Sequence, residues 1–167
     1  MDDPETPWGT RKVLVFDEDI EGLSRQADRF EARGFEVHKC TSVEAAMRCA
    51  EREVFSFALV DQGSPAFEGL RVIRHLVRYN SHTPFVVVAR SKDMLCCQQA
   101  LTLGAIDYWE RLVPRAEMNW IINNYFRSGG FETRMKSINL HRPIPVCLTA
   151  NPARRRIGPR SLGNRCT

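Results

Sequence analysis

Phe57-Ala58-Leu59-Val60-Asp61-Gln62-Gly63-Ser64-Pro65-Ala66-Phe67-Glu68-Gly69 is the stretch on which the fold turns. Its first four residues are apolar without alternation, as in a parallel strand buried on both faces. The run ends on the carboxylate of Asp61, and Pro65 and Gly69 punctuate the segment beyond it. A second such run, Val13-Leu14-Val15-Phe16, ends in Asp17-Glu18-Asp19. Two parallel strands that deliver acids at their C-terminal ends build an acidic pocket at the sheet edge where open α/β sheets bind ligands. Carboxylates crowded there repel one another until a hard divalent cation neutralises them, and oxygen ligands suit Mg²⁺. An aspartate in such a site can also attack phosphorus and form an aspartyl-phosphate.

Strands and amphipathic helices alternate around these two runs. Lys12 to Phe16 reads as a strand, and Ile20, Leu23, Ala27 and Phe30 mark a helix face that Gly34 terminates. Phe35 to His38 is a short strand, and Thr41 or Ser42 caps a helix with Val43, Ala46, Met47 and Ala50 inward. Leu70, Ile73, Leu76 and Val77 line a helix that stops near Asn80. Phe85-Val86-Val87-Val88 is a central strand, and Met94 to Leu103 a helix closed by Gly104. Asp107-Tyr108-Trp109 forms a last strand, and Arg115 to Phe126 a last helix. The order is (βα)₅, and right-handed crossovers turn it into a doubly wound, five-stranded parallel sheet covered on both faces.

The 167 residues suffice for one domain with a sizeable core. Three segments are expected: an N-terminal extension (1–10), the α/β domain (11–127) and a tail (128–167) that is flexible or loosely docked. The tail holds eight basic residues against the single acid Glu132, a balance of +7, so the net +4 leaves −3 for residues 1–127. Non-specific electrostatic contact with nucleic acid is one reading of Arg154-Arg155-Arg156, and a solvated charge run is the default one. Sequence-specific recognition is not expected, because the tail has no helix-turn-helix pattern. No stretch approaches the roughly 20 apolar residues of a membrane span. Six cysteines without CxxC or metal spacing, and an acidic N-terminus, point to a reduced cytoplasmic protein. The four histidines (His38, His75, His82 and His141) are scattered and carry no assigned chemistry.

With those motifs in place, residues 11–126 resemble the receiver domain of two-component response regulators. Val13-Leu14-Val15-Phe16-Asp17-Glu18-Asp19 is similar to that family's first strand and acidic cluster. Phe57 to Asp61, with Pro65 and Gly69, is similar to its phosphoacceptor strand and loop, and Gly104-Ala105-Ile106-Asp107-Tyr108 to the run into its last strand. The resemblance implies a flavodoxin-like fold with strand order 2-1-3-4-5. It implies that Asp61 accepts the phosphoryl group and that Asp17, Glu18, Asp61 and the Gly63 backbone carbonyl hold Mg²⁺. A histidine kinase or phosphotransfer protein would supply the phosphoryl group, and an output protein would dock on the 94–126 face. A homodimer is the further partner class it allows.

Two family positions depart from the pattern. Ala89 stands where a Thr or Ser would hydrogen-bond the phosphoryl oxygen, and Arg111-Leu112 where Lys-Pro is usual. Arg111 keeps a positive charge but replaces a compact ammonium with a planar fork. Arg90, where a small residue is usual, either solvates in its loop or reaches the phosphoryl group. Tyr108 aligns with an aromatic that moves inward with the lost hydroxyl; with Ala89 in place, it is expected to pack. The leading expectation is a stand-alone phosphoacceptor regulator, a switch and not a turnover enzyme. The alternative is a pseudo-receiver, the same fold used as a constitutive docking or dimerisation module.

Each signal has a plainer reading. As an ordinary strand-end acid Asp61 would only cap a turn, but the Pro65 and Gly69 spacing and the paired upstream acids argue against that. Asp17 and Glu18 exceed what a helix dipole requires, whereas Asp19 suits a cap. Asp17-x-Asp19 also resembles the first motif of haloacid-dehalogenase-type phosphatases, with Asp17 as nucleophile and Asp19 as acid/base. Those enzymes continue with Gly-Thr, where this chain has Ile20-Glu21.

Overall fold

The computed structural model describes residues 11–110 and 115–121. Ten elements alternate: β1 (Lys12–Phe16), α1 (Ile20–Glu31), β2 (Glu36–Cys40), α2 (Val43–Arg52), β3 (Phe57–Asp61), α3 (Gly69–Tyr79), β4 (Phe85–Ala89), α4 (Met94–Thr102), β5 (Tyr108–Glu110) and α5 (Arg115–Ile121). All five strands run parallel, in the order β2-β1-β3-β4-β5.

Strand alternation divides the core into two layers. Leu14, Phe16, Ala58, Val60, Phe85 and Val87 face one side and pack with Val43, Ala46, Ile73, Leu76 and Ala100 from α2, α3 and α4. Val13, Val15, Phe57, Leu59, Val86 and Val88 face the other and meet Leu23 and Phe30 of α1 and Met118 of α5. Every residue of β3 and β4 is therefore buried, which is why these runs carry no polar alternation. Strand β2 lies at the sheet edge, where exposed Glu36 and Lys39 discourage pairing with another chain.

Local chemistry sets the helix starts. Asp19 caps α1 through the Gly22 N–H, Ser42 caps α2 through the Ala45 N–H, and Asp93 caps α4 through the Leu95 and Cys96 N–H groups. Several elements differ from the sequence expectation. Ile20 is 69% exposed and does not share the inner face of α1. On α3 it is Val72, not Val77, that joins Ile73 and Leu76 in the core. Strand β2 begins one residue later and runs on to Cys40, because its ladder pairs with all of β1 from Lys12 to Phe16. The segments 1–10 and 128–167, Arg111, and the part of the last helix beyond residue 121 lie outside the described residues. Among the described residues, no helix is long and apolar enough to cross a membrane.

Candidate functional site

The parallel sheet brings the C-terminal ends of β1, β3 and β4 side by side, with Phe16 opposite Val60 and Asp61 opposite Val88. Asp17, Asp61 and Ala89 consequently line one open cleft of about 620 Å³, together with Gln26, Arg25 and Arg90. Glu18 is exposed and lines an adjoining cleft of about 370 Å³ with Gly63, Arg90 and Lys92, and its charge also acts on Asp61. Asp61 borders both. Asp17 and Glu18 thus flank the Asp61 carboxylate from neighbouring clefts.

Asp61 is 5% exposed, and its Oδ2 accepts the Gly63 N–H at 2.8 Å. Burial, followed by the Asp17 charge, pushes its carboxyl up to about 6, against which the Gly63 bond and Arg90 pull down. Burial also raises Asp17, while the Asp19 N–H on its Oδ1 at 2.8 Å and the charges of Arg90 and Arg25 oppose the rise. The two carboxylates therefore sit under electrostatic tension that a further positive charge would relieve. Gln26 adds a third oxygen: it is 3% exposed, lines the same cleft, and its Oε1 has no hydrogen-bond partner among the described residues.

Two glycines make room for this arrangement. A Cβ on Gly69 would lie 2.0 Å from the Asp61 backbone oxygen, so the loop after β3 closes only because position 69 carries no side chain. Its N–H completes the turn on the Gln62 carbonyl at 3.1 Å. A Cβ on Gly22 would lie 2.4 Å from Asp17 Oδ2, so α1 approaches the acid through glycine. Gly22 and Gln26 are site residues that the sequence reading missed. A glycine and a buried-face glutamine inside an otherwise amphipathic helix were the available signals.

On the β4–β5 side the chemistry is of another kind. Ala89 is buried and offers only a methyl group. Tyr108 is fully buried, as packing requires, but its hydroxyl also donates to Gln62 Oε1 and accepts the Asp93 N–H at 3.2 Å. Gln62, itself buried, in turn donates through Nε2 to the Ser64 carbonyl at 3.2 Å. Burial pushes the Tyr108 hydroxyl up to about 12, so it stays a donor at any physiological pH. Gln62 occupied an unassigned position of the Asp61–Pro65–Gly69 spacing, and nothing local distinguishes it.

Arg90 is exposed, as a solvated loop residue would be, yet it lines both clefts. Asp19 is engaged as the α1 cap. At the opposite end of the sheet His38 gathers with Glu36 and Glu53, but Lys12 reaches Glu53 at 2.5 Å and supplies the positive charge of that group.

Comparison with known proteins agrees with this fold. Among curated proteins, the regulatory protein AtoC of Escherichia coli (strain K12) is 20% identical over 148 residues, 85% of this chain and 32% of AtoC. The photosynthetic apparatus regulatory protein RegA of Rhodobacter capsulatus is 27% identical over 119 residues, 71% of this chain and 63% of RegA. The matched region is thus about a third of one relative and just under two thirds of the other. Among solved structures, a CheY-like receiver domain protein from Methanospirillum hungatei JF-1 superposes with a TM-score of 0.64 at 19% identity, over 77% of this chain and 99% of that one. A Burkholderia pseudomallei response regulator with a phosphorylated aspartic acid, calcium ion and citrate gives 0.60 at 21% identity, over 80% and 76%. These likenesses speak to the fold. Residues 13–123 match the response regulator receiver domain as a family, and with five parallel strands in the order 2-1-3-4-5 the chain belongs to that family of two-component signalling domains.

Proposed function

We propose that Asp61 accepts a phosphoryl group from a histidine kinase or phosphotransfer protein, with Mg²⁺ bound beside it. One observation carries the reading: a buried, strand-end aspartate whose carboxyl is driven up by burial and by a second aspartate in the same cleft. The donor set fits a hard cation, since Asp17, Asp61 and Gln26 all offer oxygen and, among the described residues, no thiol or imidazole lines the cleft. Asp17, Glu18, Asp61 and the Gly63 carbonyl would hold it, with Gln26 reached through water. Bound there, it would neutralise the carboxylates and the phosphoryl oxygens. The Gly63 N–H orients the nucleophile by holding Oδ2. An Asp61 oxygen then attacks phosphorus, the P–N bond to the donor imidazole breaks, and the imidazole leaves with a proton. Arg90, beside Asp61 in both clefts, pairs with the phosphoryl oxygens, and Arg111 is the other cation assigned to that task. Output passes through the 94–126 surface, where Met94 and Leu95 are large, apolar and exposed. Residues 11–127 act as the receiver unit.

The test is incubation with Mg²⁺ and acetyl phosphate, with the product read by intact mass. An alkali-labile phosphoryl adduct, absent in Asp61→Asn, is expected. Equal adduct in the variant, or none in the wild type with Mg²⁺ binding verified and a cognate kinase supplied, removes the reading.

A second reading, a pseudo-receiver, draws support from Ala89 and from the hydroxyl of Tyr108. With Tyr108 already bonded to Gln62 and Asp93, phosphorylation has neither a Thr or Ser to pull nor a free aromatic ring to move. Partner affinity and oligomeric state that are equal before and after phosphorylation would favour it. The phosphatase alternative gains no support, since Asp19 has the plainer role of the α1 cap.

A further inference from the structure

The cysteines contain a feature that the phosphoacceptor reading leaves unused. Cys40 closes β2 and Cys49 lies in the last two turns of α2, and the Cys40 thiol points at Cys49 Sγ at 3.6 Å. Both are free thiols, Cys40 buried and Cys49 partly exposed. A disulfide needs a sulfur–sulfur separation of about 2.0 Å, and the two sulfurs already stand in van der Waals contact. We propose that Cys40 and Cys49 form a reversible redox site, closing to a disulfide when hydrogen peroxide oxidises Cys49.

Exposure sets the order of events. Cys40 is buried and Cys49 partly exposed, so the outer sulfur is the one that meets the oxidant. Its attack on the peroxide forms an S–O bond and breaks O–O, and the leaving hydroxide takes a proton to become water. Cys40 sulfur then attacks Cys49 sulfur. The S–O bond breaks, and a second water departs with the Cys40 proton. Each sulfur gives up one electron, and the two together reduce the peroxide. A dithiol reverses the step by exchange.

The link reaches the acidic cleft through one hydrogen bond. The Cys40 carbonyl accepts the Asp17 N–H at 3.1 Å, so the staple is anchored on the residue that holds the backbone of Asp17. Cys96 has a different surrounding: its sulfur lies 3.9 Å from the Pro65 carbonyl.

The full chain, reduced and freed of reductant, is treated with hydrogen peroxide, blocked with N-ethylmaleimide and cut with trypsin without reduction. Cleavage after Lys39, Arg48 and Arg52 puts Cys40 in peptide 40–48 and Cys49 in peptide 49–52. The expected product joins these two peptides, weighs about 2 Da less than their sum, and disappears with dithiothreitol. In Cys49→Ser, peptide 40–48 should instead carry one maleimide at every peroxide dose. Recovery of both wild-type peptides as separate maleimide adducts after the peroxide is consumed overturns the proposal. So does Cys49 as a sulfinic acid, or linked to any cysteine other than Cys40. Because the wild-type chain decides the matter, misfolding of the variant leaves the test intact.

Discussion

At the ends of β1 and β3, two carboxylates share a cleft, both with raised pKa, beside an amide oxygen without a partner among the described residues. At the ends of β4 and β5, the corresponding positions hold a methyl group and a tyrosine whose hydroxyl both donates and accepts. One side is left under tension that a cation or a phosphoryl group would relieve. The other is already satisfied. Chemistry needs the first condition, and conformational response needs groups with somewhere better to go.

Substitutions on each side sharpen that contrast. The largest effect is expected for Gly69→Ala on the acid side. A methyl 2.0 Å from the Asp61 carbonyl forces the loop off β3, costing about 3–4 kcal/mol in urea unfolding. A cost near zero would mean that the loop is not packed against the strand as described.

Next comes the charge itself. Asp61 has its folded pKa raised to about 6, above its unfolded value, so in this window the folded protein binds the proton more tightly. Its contribution to metal-free stability is therefore lost as pH rises from about 4 to about 6. Asp61→Asn should remove that decline and stabilise the metal-free protein by about 2–3 kcal/mol at pH 7. Divalent cation binding should weaken on acidification through pH 6 in the wild type, read by titration calorimetry. A variant with unchanged pH dependence would mean that the tension between the two aspartates is absent.

On the satisfied side the effects are smaller. Tyr108→Phe leaves the buried Gln62 Oε1 and the Asp93 N–H without their partner, a cost of about 1–2 kcal/mol in urea unfolding. It should also make Trp109 fluorescence, next along β5, newly responsive to acetyl phosphate if the hydroxyl is what holds the ring still. Smallest is Asp93→Ala, which removes the α4 cap and should cost about 1 kcal/mol by the same measurement.

The fold was legible in unusual measure because its central strands are buried on both faces and so carry an unbroken apolar signal. Helix faces were read less accurately. Ile20 begins α1 on its exposed side, and Val77 sits one position off the buried stripe, so periodicity alone assigned both to the core. Of the site, Asp17 and Asp61 were visible as strand-end acids and do share a cleft. Glu18, the next residue, borders Asp61 from the adjoining cleft. Gln62, Gly22 and Gln26 gave no comparable signal, since their roles depend on partners in other elements or on the clearance between α1 and Asp17.

By itself the sequence determined that strands and helices alternate, that the central strands are parallel, and that acids crowd one sheet edge. Burial pattern and strand-end residues are local properties, written within each element. Only the tertiary structure decided that Gln62 meets Tyr108 across 46 positions, that Cys40 faces Cys49, and that burial, with Asp17 beside it, raises the carboxyl of Asp61. Pairings of that kind depend on which elements become neighbours and on distances of an ångström or two between side chains, and no periodicity along a chain records those.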